Sequence, residues 1–446
     1  MAAGGNALRR ARFGAAAGGR IYELDLVRPG PMTAVAPPRR AFEALQIPGY
    51  RAYLATFTLT MMADNIEHVI SYWLAFQKFH SAALGGFAVV SHWLPYLLFS
   101  VAAGALNDRL DSRRIIQAGA LMFMTASLGW GYFFVTGTLQ MWHAMVLLIL
   151  HGCAGVLWIT SSQMLLYDIV GPAALASAVR LNASARYLGV LVGPGVGSLI
   201  MLTLGPTRGI FLNALFYVPL FVWLIAAPYG RHFRGAAAGA KRAVRGLADI
   251  VQTVREIRGL PVIGAMVLLA GAASFFVGNS YQAQMPGFAH DLGHGDPGVA
   301  YTLLLGADAA GALLAGFVLE ARGSLVRTSA PAAMKLAMLW AAALFGFAFA
   351  RSYLMALPLL FAAGFFELSF SSMAQTLVQM QAPDTSRGRV LGLFNMASAG
   401  LRTFSGVTVG LAGSLLTVHA SLAASAAAFA AATGLVLFRQ RGRAAA

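Results

Sequence analysis

The chain has 446 residues, 58% of them hydrophobic and only 11% charged, with a mean hydropathy of +0.69. Soluble chains of this length carry about 25% charged residues, so much of the apolar surplus must face lipid. The single cysteine, Cys153, excludes an intramolecular disulfide and a cysteine metal cluster. The net charge of +16 has to be explained by where the basic residues fall.

Residues 1–47 are rich in Ala, Gly, Arg and Pro without amphipathic periodicity, and are expected to form a disordered cytoplasmic tail. No apolar core follows the early arginines, which argues against a cleavable signal peptide, and Met32 is a second candidate start. Apolar windows long enough to cross a hydrocarbon core of ~30 Å then recur with short polar breaks. They lie at 52–77, 82–106, 114–136, 141–166, 175–204, 208–228, 260–288, 298–319, 330–350, 353–380, 388–417 and 419–438. An even number of spans puts both termini on one side. With that side cytoplasmic, 26 of the 32 basic residues fall on cytoplasmic segments or the span ends adjoining them, Lys78, Arg208 and Arg351 fall at the outer side, and Arg186, Lys335 and Arg402 lie deeper within spans. This is the positive-inside pattern. The charge is therefore a topology signal from a chain whose partner is the lipid bilayer, and no nucleic-acid partner is expected.

The expected organisation is all-α: a six-helix bundle over 48–229, a cytoplasmic linker over 230–258 with an amphipathic helix near 244–257, a second six-helix bundle over 259–438, and a tail over 439–446. The halves repeat in sequence. Gly104 and Asp108 match Gly316 and Glu320 at an offset of 212, Gln163 matches Gln375 at 212, and Asn182 and Gly193 match Asn395 and Gly406 at 213. Parallel repeats of this kind belong to transporters whose site lies between the halves.

Ionisable residues at membrane depth cost at least ~2.5–3.5 kcal/mol each on insertion scales, so each needs a reason. In the first span Asp64, Glu67 and His68 are spaced i, i+3, i+4 and share a helical face. Such a group can take a proton from one side and release it to the other, which makes these three the proton-coupling candidates; Asp64 can equally serve as a fixed counter-ion. Arg186 is a candidate partner for a first-span carboxylate. Asp308, Glu367 and Arg402 are further cavity candidates, Glu367 either binding a cationic substrate group or pairing with Arg402. Trp158, Gln163, Asn279 and Gln282 are candidates to line a substrate cavity or to bond between helices, as are Tyr281 and Gln284. His92, His143 and His151 read as packed or interfacial side chains, and no histidine–carboxylate spacing suggests a metal site. There is no GxxxxGK[ST] loop, so ATP-driven transport by this chain is not expected, nor are an enzyme activity or a cofactor.

Three stretches carry a resemblance. Gly104-Ala-Leu-Asn-Asp108-Arg109-Leu-Asp-Ser-Arg113-Arg114 resembles the GxLaDRxGRK loop between spans two and three of the major facilitator superfamily, with Asp111 where the second glycine usually sits. The resemblance implies a latch in which Asp108, Arg109, Arg113 and Arg114 hold the cytoplasmic side shut in one state. Gly189-Val-Leu-Val-Gly193-Pro194-Gly-Val-Gly197 is similar to the superfamily's antiporter motif, with Ser198 replacing the last glycine. Ala382-Pro383-Asp384-Thr-Ser-Arg387-Gly388-Arg389-Val-Leu-Gly392, with Tyr50-Arg51, is similar to the branch of enterobactin-exporter-like and macrolide-efflux-like proteins. Together these imply a monomeric inner-membrane carrier in a bacterium that exports a small organic solute, such as a drug or siderophore, against protons by alternating access. An uptake or facilitated-diffusion carrier and a non-transporting sensor or scaffold are the alternatives. Phe276 is the repeat partner of Asp64 and Gly155 that of Glu367, so the first half is expected to carry protons and the second more of the substrate surface.

Overall fold

The computed structural model describes residues 41–80, 82–230, 246–278, 280–283, 285–292, 299–322, 328–405 and 417–445. The N-terminal tail, most of the linker, Asn279, Gln284 and Gly406 therefore lie outside the described residues. Within them the chain is helical, and eight helices are long and apolar enough to cross a membrane. The 32-residue first helix, α1 (Pro48–Phe79), is not among these eight. Asp64, Asn65, Glu67 and His68 dilute its apolar surface.

Helices α2 (Ala82–Asn107) and α3 (Ser112–Val135) follow, joined by the Asp108 loop. Asp111 explains why that loop can dispense with its second glycine. Its carboxylate caps α3 by accepting the Arg113 N–H at 3.0 Å, and it holds the Arg113 guanidinium at 2.8 Å. Arg113 in turn donates to the carbonyl of Ala227 at 2.6 Å, tying the loop to the end of the sixth span.

The fourth and fifth spans form one continuous element, α4 (Met141–Leu204), broken at Gly171. Gly171 has φ +67° and ψ 179° and precedes Pro172. Only glycine adopts this backbone cheaply, and the proline disfavours a helical predecessor, so the chain reverses there with a single residue. The sixth span is α5 (Pro206–Phe216) with α6 (Val218–Ala226).

After the linker, α7 (Leu247–Ile257) is amphipathic as expected, and its inner face mixes Asp249 and Thr253 with Ile257, whereas Leu247 is 79% exposed. The seventh span is interrupted, running through α8 (Pro261–Phe276), α9 (Ser280–Ala283) and α10 (Met285–Asp291). Gly278, with φ +51°, lies at the first interruption. Then come α11 (Val299–Ala321), α12 (Ala330–Ala348) and α13 (Tyr353–Gln381). The eleventh span begins as α14 (Arg387–Asn395), passes through a π-turn at Met396–Gly400 and resumes as α15 (Arg402–Ser405). The last helix is α16 (Val418–Ala445).

Apolar burial segregates along the chain. Two clusters draw on residues 44–224, and one larger cluster draws on residues 257–429 together with Val101 and Met164. Lipid tails are as apolar as Leu, so helix association here depends on close approach at small residues. Such approaches recur at the repeat positions Gly152 and Gly364. An added Cβ would lie 2.1 Å from the Ser91 carbonyl oxygen at the first and 1.9 Å from that of Asp308 at the second.

Candidate functional site

The first-span face organises a polar cluster from several helices. His151, on the first limb of α4, sits between two carboxylates, its Nε2 3.0 Å from Asp64 Oδ1 and its Nδ1 2.8 Å from Glu67 Oε1. Glu67 is 2% exposed, and its other oxygen accepts a hydrogen bond of 2.5 Å from Ser127 of α3. Asn213 of α5 donates to Ser127 at 3.3 Å. His68 places Nδ1 2.7 Å from the Asp64 carbonyl oxygen and Nε2 3.2 Å from His92 Nδ1 of α2. A small cleft lined by Glu67, His68, Tyr72, His92, Trp130 and His151 borders the cluster. His151 Nδ1 makes a hydrogen bond with Glu67, while Nε2 lies within ion-pair distance of Asp64 without hydrogen-bond geometry, so a charged imidazole pairs with both carboxylates. The protonation state of the imidazole therefore sets how many charges the cluster carries.

Sequence reasoning missed His92 and His151. Each stands alone on an apolar face of its own helix, and only the packing of α2 and α4 onto α1 makes them neighbours. The donor atoms of His68, His92 and His151 lie within 4.8 Å of one another, a spacing that the sequence did not signal. Both ring nitrogens of His151 already face carboxylates, so a cation there would have to displace those pairs. The expected pairing of Arg186 with a first-span carboxylate is not formed. His151 takes that place, because an imidazole can face two carboxylates at once from a neighbouring helix.

The glycine motif of α4 packs against this same stretch of α1. A Cβ at Gly189 would lie 3.0 Å from Met61, at Gly193 2.6 Å from Asn65 Cβ, and at Gly197 3.4 Å from Ile66 Cα. Pro194 lies within the helix between the last two. The stripe thus fixes the depth and rotation of Asp64 and Glu67.

A second polar cluster lies in residues 281–367. Tyr281 Oη is 3.2 and 3.3 Å from the two Asp308 oxygens and 3.3 Å from Glu367 Oε2. Gln282 donates to Asp308 Oδ2 at 2.9 Å. Glu367 makes no ion pair with Arg402 within 4 Å among the described residues. The Arg402 guanidinium instead lies over the Trp93 ring at 5.1 Å, and that of Arg186 lies 6.0 Å from the Tyr187 ring centroid. Other cavity candidates are engaged differently. Trp158 stacks on Phe57 at 5.0 Å inside an apolar cluster. Gln163 and Asn395 exchange two amide hydrogen bonds of 3.0 Å, joining α4 to α14.

The loop motif ties the end of the second span to the start of the eleventh. Asp108 accepts the backbone N–H groups of Gly388 and Arg389 at 2.7 and 3.2 Å, capping α14. Gly104 and Gly388 make the crossing possible, since a Cβ on Gly104 would lie 2.0 Å from the Gly388 carbonyl oxygen. At the repeat-related place, Glu320 accepts from Ser177 and receives the Arg180 guanidinium at 2.7 Å. The contacts are therefore paired, with Asp108 holding the eleventh span and Glu320 the fifth. Arg114 bonds Gln117 at 3.1 Å, and Arg109 sits in the loop beside Asp108.

Residues 41–444 match the family model described as transmembrane secretion effector, within the major facilitator superfamily. An MFS-type transporter of Sinorhizobium fredii, y4rN, is 27% identical over 288 residues, covering 61% of this chain, and the chain spans 66% of that relative's length. The fold is shared with the human organic anion transporter MFSD10, at TM-score 0.67 and 14% identity over 87% of this chain and all of that one. It is shared equally with the E. coli fucose:proton symporter, at TM-score 0.68 and 14% identity over 90% of this chain and 99% of that one. These are membrane transporters and not enzymes. The chain belongs to the transmembrane secretion effector family of major facilitator superfamily transporters.

Proposed function

We propose that this chain exports a small organic solute in exchange for protons by alternating access, as a monomer in the inner membrane of a bacterium with both termini cytoplasmic. In this reading residues 48–229 and 259–438 are two bundles that rock about a central cavity, and the Asp108 and Glu320 latches close its cytoplasmic mouth. The observation that carries the reading is His151 bracketed by Asp64 and Glu67. An internal carboxylate–imidazole–carboxylate relay is costly at membrane depth and gains a use if its protons come from one side and leave to the other. The glycine stripe on α4 supports export, since it resembles the antiporter motif and holds the relay-bearing helix. The resemblance of residues 382–392 to enterobactin-exporter-like and macrolide-efflux-like proteins favours a drug or siderophore as cargo.

Everted membrane vesicles test the proposal. With the interior acidified, vesicles containing the chain should accumulate one or more members of a panel of fluorescent amphiphilic drugs, and collapsing the gradient should release them. Entry that stops at equal concentrations inside and outside and is indifferent to the gradient would instead assign facilitated diffusion.

A further inference from the structure

The Asp308–Glu367 cluster has a hydrogen count that does not close with both carboxyl groups ionised. Gly311 and Gly364 bring α11 and α13 into close contact there. A Cβ on Gly311 would lie 1.9 Å from the Phe361 carbonyl oxygen, and one on Gly364 equally close to that of Asp308. Both carboxyl groups are buried, and among the described residues neither has a cation within 4 Å. Tyr281 brings one hydroxyl hydrogen to oxygens of both groups at 3.2–3.3 Å. Gln282 supplies hydrogens to Asp308 at 2.9 Å and to the Tyr281 oxygen at 3.3 Å. The phenol can donate to one carboxylate only. The other contact is a hydrogen bond only if that carboxyl is an acid donating to the phenol oxygen. Two ionised carboxylates sharing one buried donor would also repel at low dielectric.

We infer that Asp308 and Glu367 form a second proton-binding site in which one proton is shared across the Tyr281 phenol. The transfer is balanced. An O–H bond breaks on one carboxyl as its proton passes to the phenol oxygen, the phenol proton forms a new O–H bond on the other, and Tyr281 ends neutral as it began. The groups that face the site are Tyr187 and Arg186 of α4 and Arg402 of α15, all within electrostatic reach. The two guanidiniums stabilise the one remaining negative charge from a distance without capturing it. Protons are thus held in both halves of the chain, whereas the sequence pointed to the first half alone.

Infrared spectroscopy of the full chain in lipid nanodiscs tests this without knowledge of the substrate. At neutral pH the wild type should show a protonated carboxylic C=O band. Asp308→Asn and Glu367→Gln should each displace or abolish it, because each removes one of the two carboxyl groups that share the proton. Tyr281→Phe should shift it. Asp64→Asn should leave it unchanged, which separates this site from the first-half relay, whose own failure would show as lost gradient-driven flux with the band intact. If a variant does not fold, the wild-type band and its downshift in D2O still decide the matter. Absence of that band in the wild type, its unaltered survival in both single variants, or its loss in Asp64→Asn overturns the shared-proton site.

Discussion

His151 is the residue on which the first-half cluster turns, because among the described residues it alone pairs with the carboxylates of both Asp64 and Glu67. Replacing it with Gln keeps a polar side chain of similar reach but removes the titratable ring. His151→Gln should leave the chain folded while abolishing gradient-driven flux, and retained downhill exchange of solute would identify the loss as one of coupling. Full gradient-driven flux in this variant would remove His151 from the mechanism. Asp64, Glu67 and His68 were legible as one helical face from their spacing. His151 and His92 were not, since 84 and 24 residues separate them from their respective partners Glu67 and His68, and no local pattern announces a contact of that length. The same limit explains the Arg186 expectation: opposite charges suggested a pair, and packing supplied an imidazole instead.

At the scale of elements, helix crossings are set by glycines, and their consequences are specific to position. Gly193→Leu forces Asn65 aside, and overpacking of this kind costs about 1–3 kcal/mol, so its thermal midpoint should fall clearly. Gly195→Leu is the control, because a Cβ there meets no atom within 4 Å, and its midpoint should match wild type. Equal falls in both would show that the α1 crossing is not what the motif protects. The Asp108 cap can be weighed in the same way. Asp108→Ala removes the acceptor for two backbone N–H groups, a loss of about 1–2 kcal/mol, equivalent to roughly a 5- to 30-fold shift between conformations. A cysteine placed in the Asp108 loop should then react with a membrane-impermeant thiol reagent correspondingly faster, whereas an unchanged rate would mean that the cap does not govern opening. The motif made Asp108 legible, but its partners Gly388 and Arg389 lie 280 and 281 residues away. The interruptions at Gly278 and Met396–Gly400 were hidden because hydropathy continues through them while the backbone does not.

Across the whole molecule, apolar windows and the placement of arginines carried the number of spans, their order and the repeat, because lipid requires each crossing to satisfy its own backbone. What the windows could not carry was the register between crossings, which decides that Gln163 meets Asn395 and that Glu320 meets Arg180. The inner face of α7 reaches the start of the eleventh span, where Arg389 lies within 3.6 Å of Glu256. A reporter fused after residue 445 should be active only on the cytoplasmic side if the arginine distribution sets orientation. The most direct test of the central claim is proton movement itself, in proteoliposomes containing a drug that the wild type exports. Adding an acid-outside gradient should drive solute out and protons in together, and Asp64→Asn should lose both fluxes while binding the drug with similar affinity. Drug efflux in Asp64→Asn at the wild-type rate, with undiminished proton entry, would contradict the account.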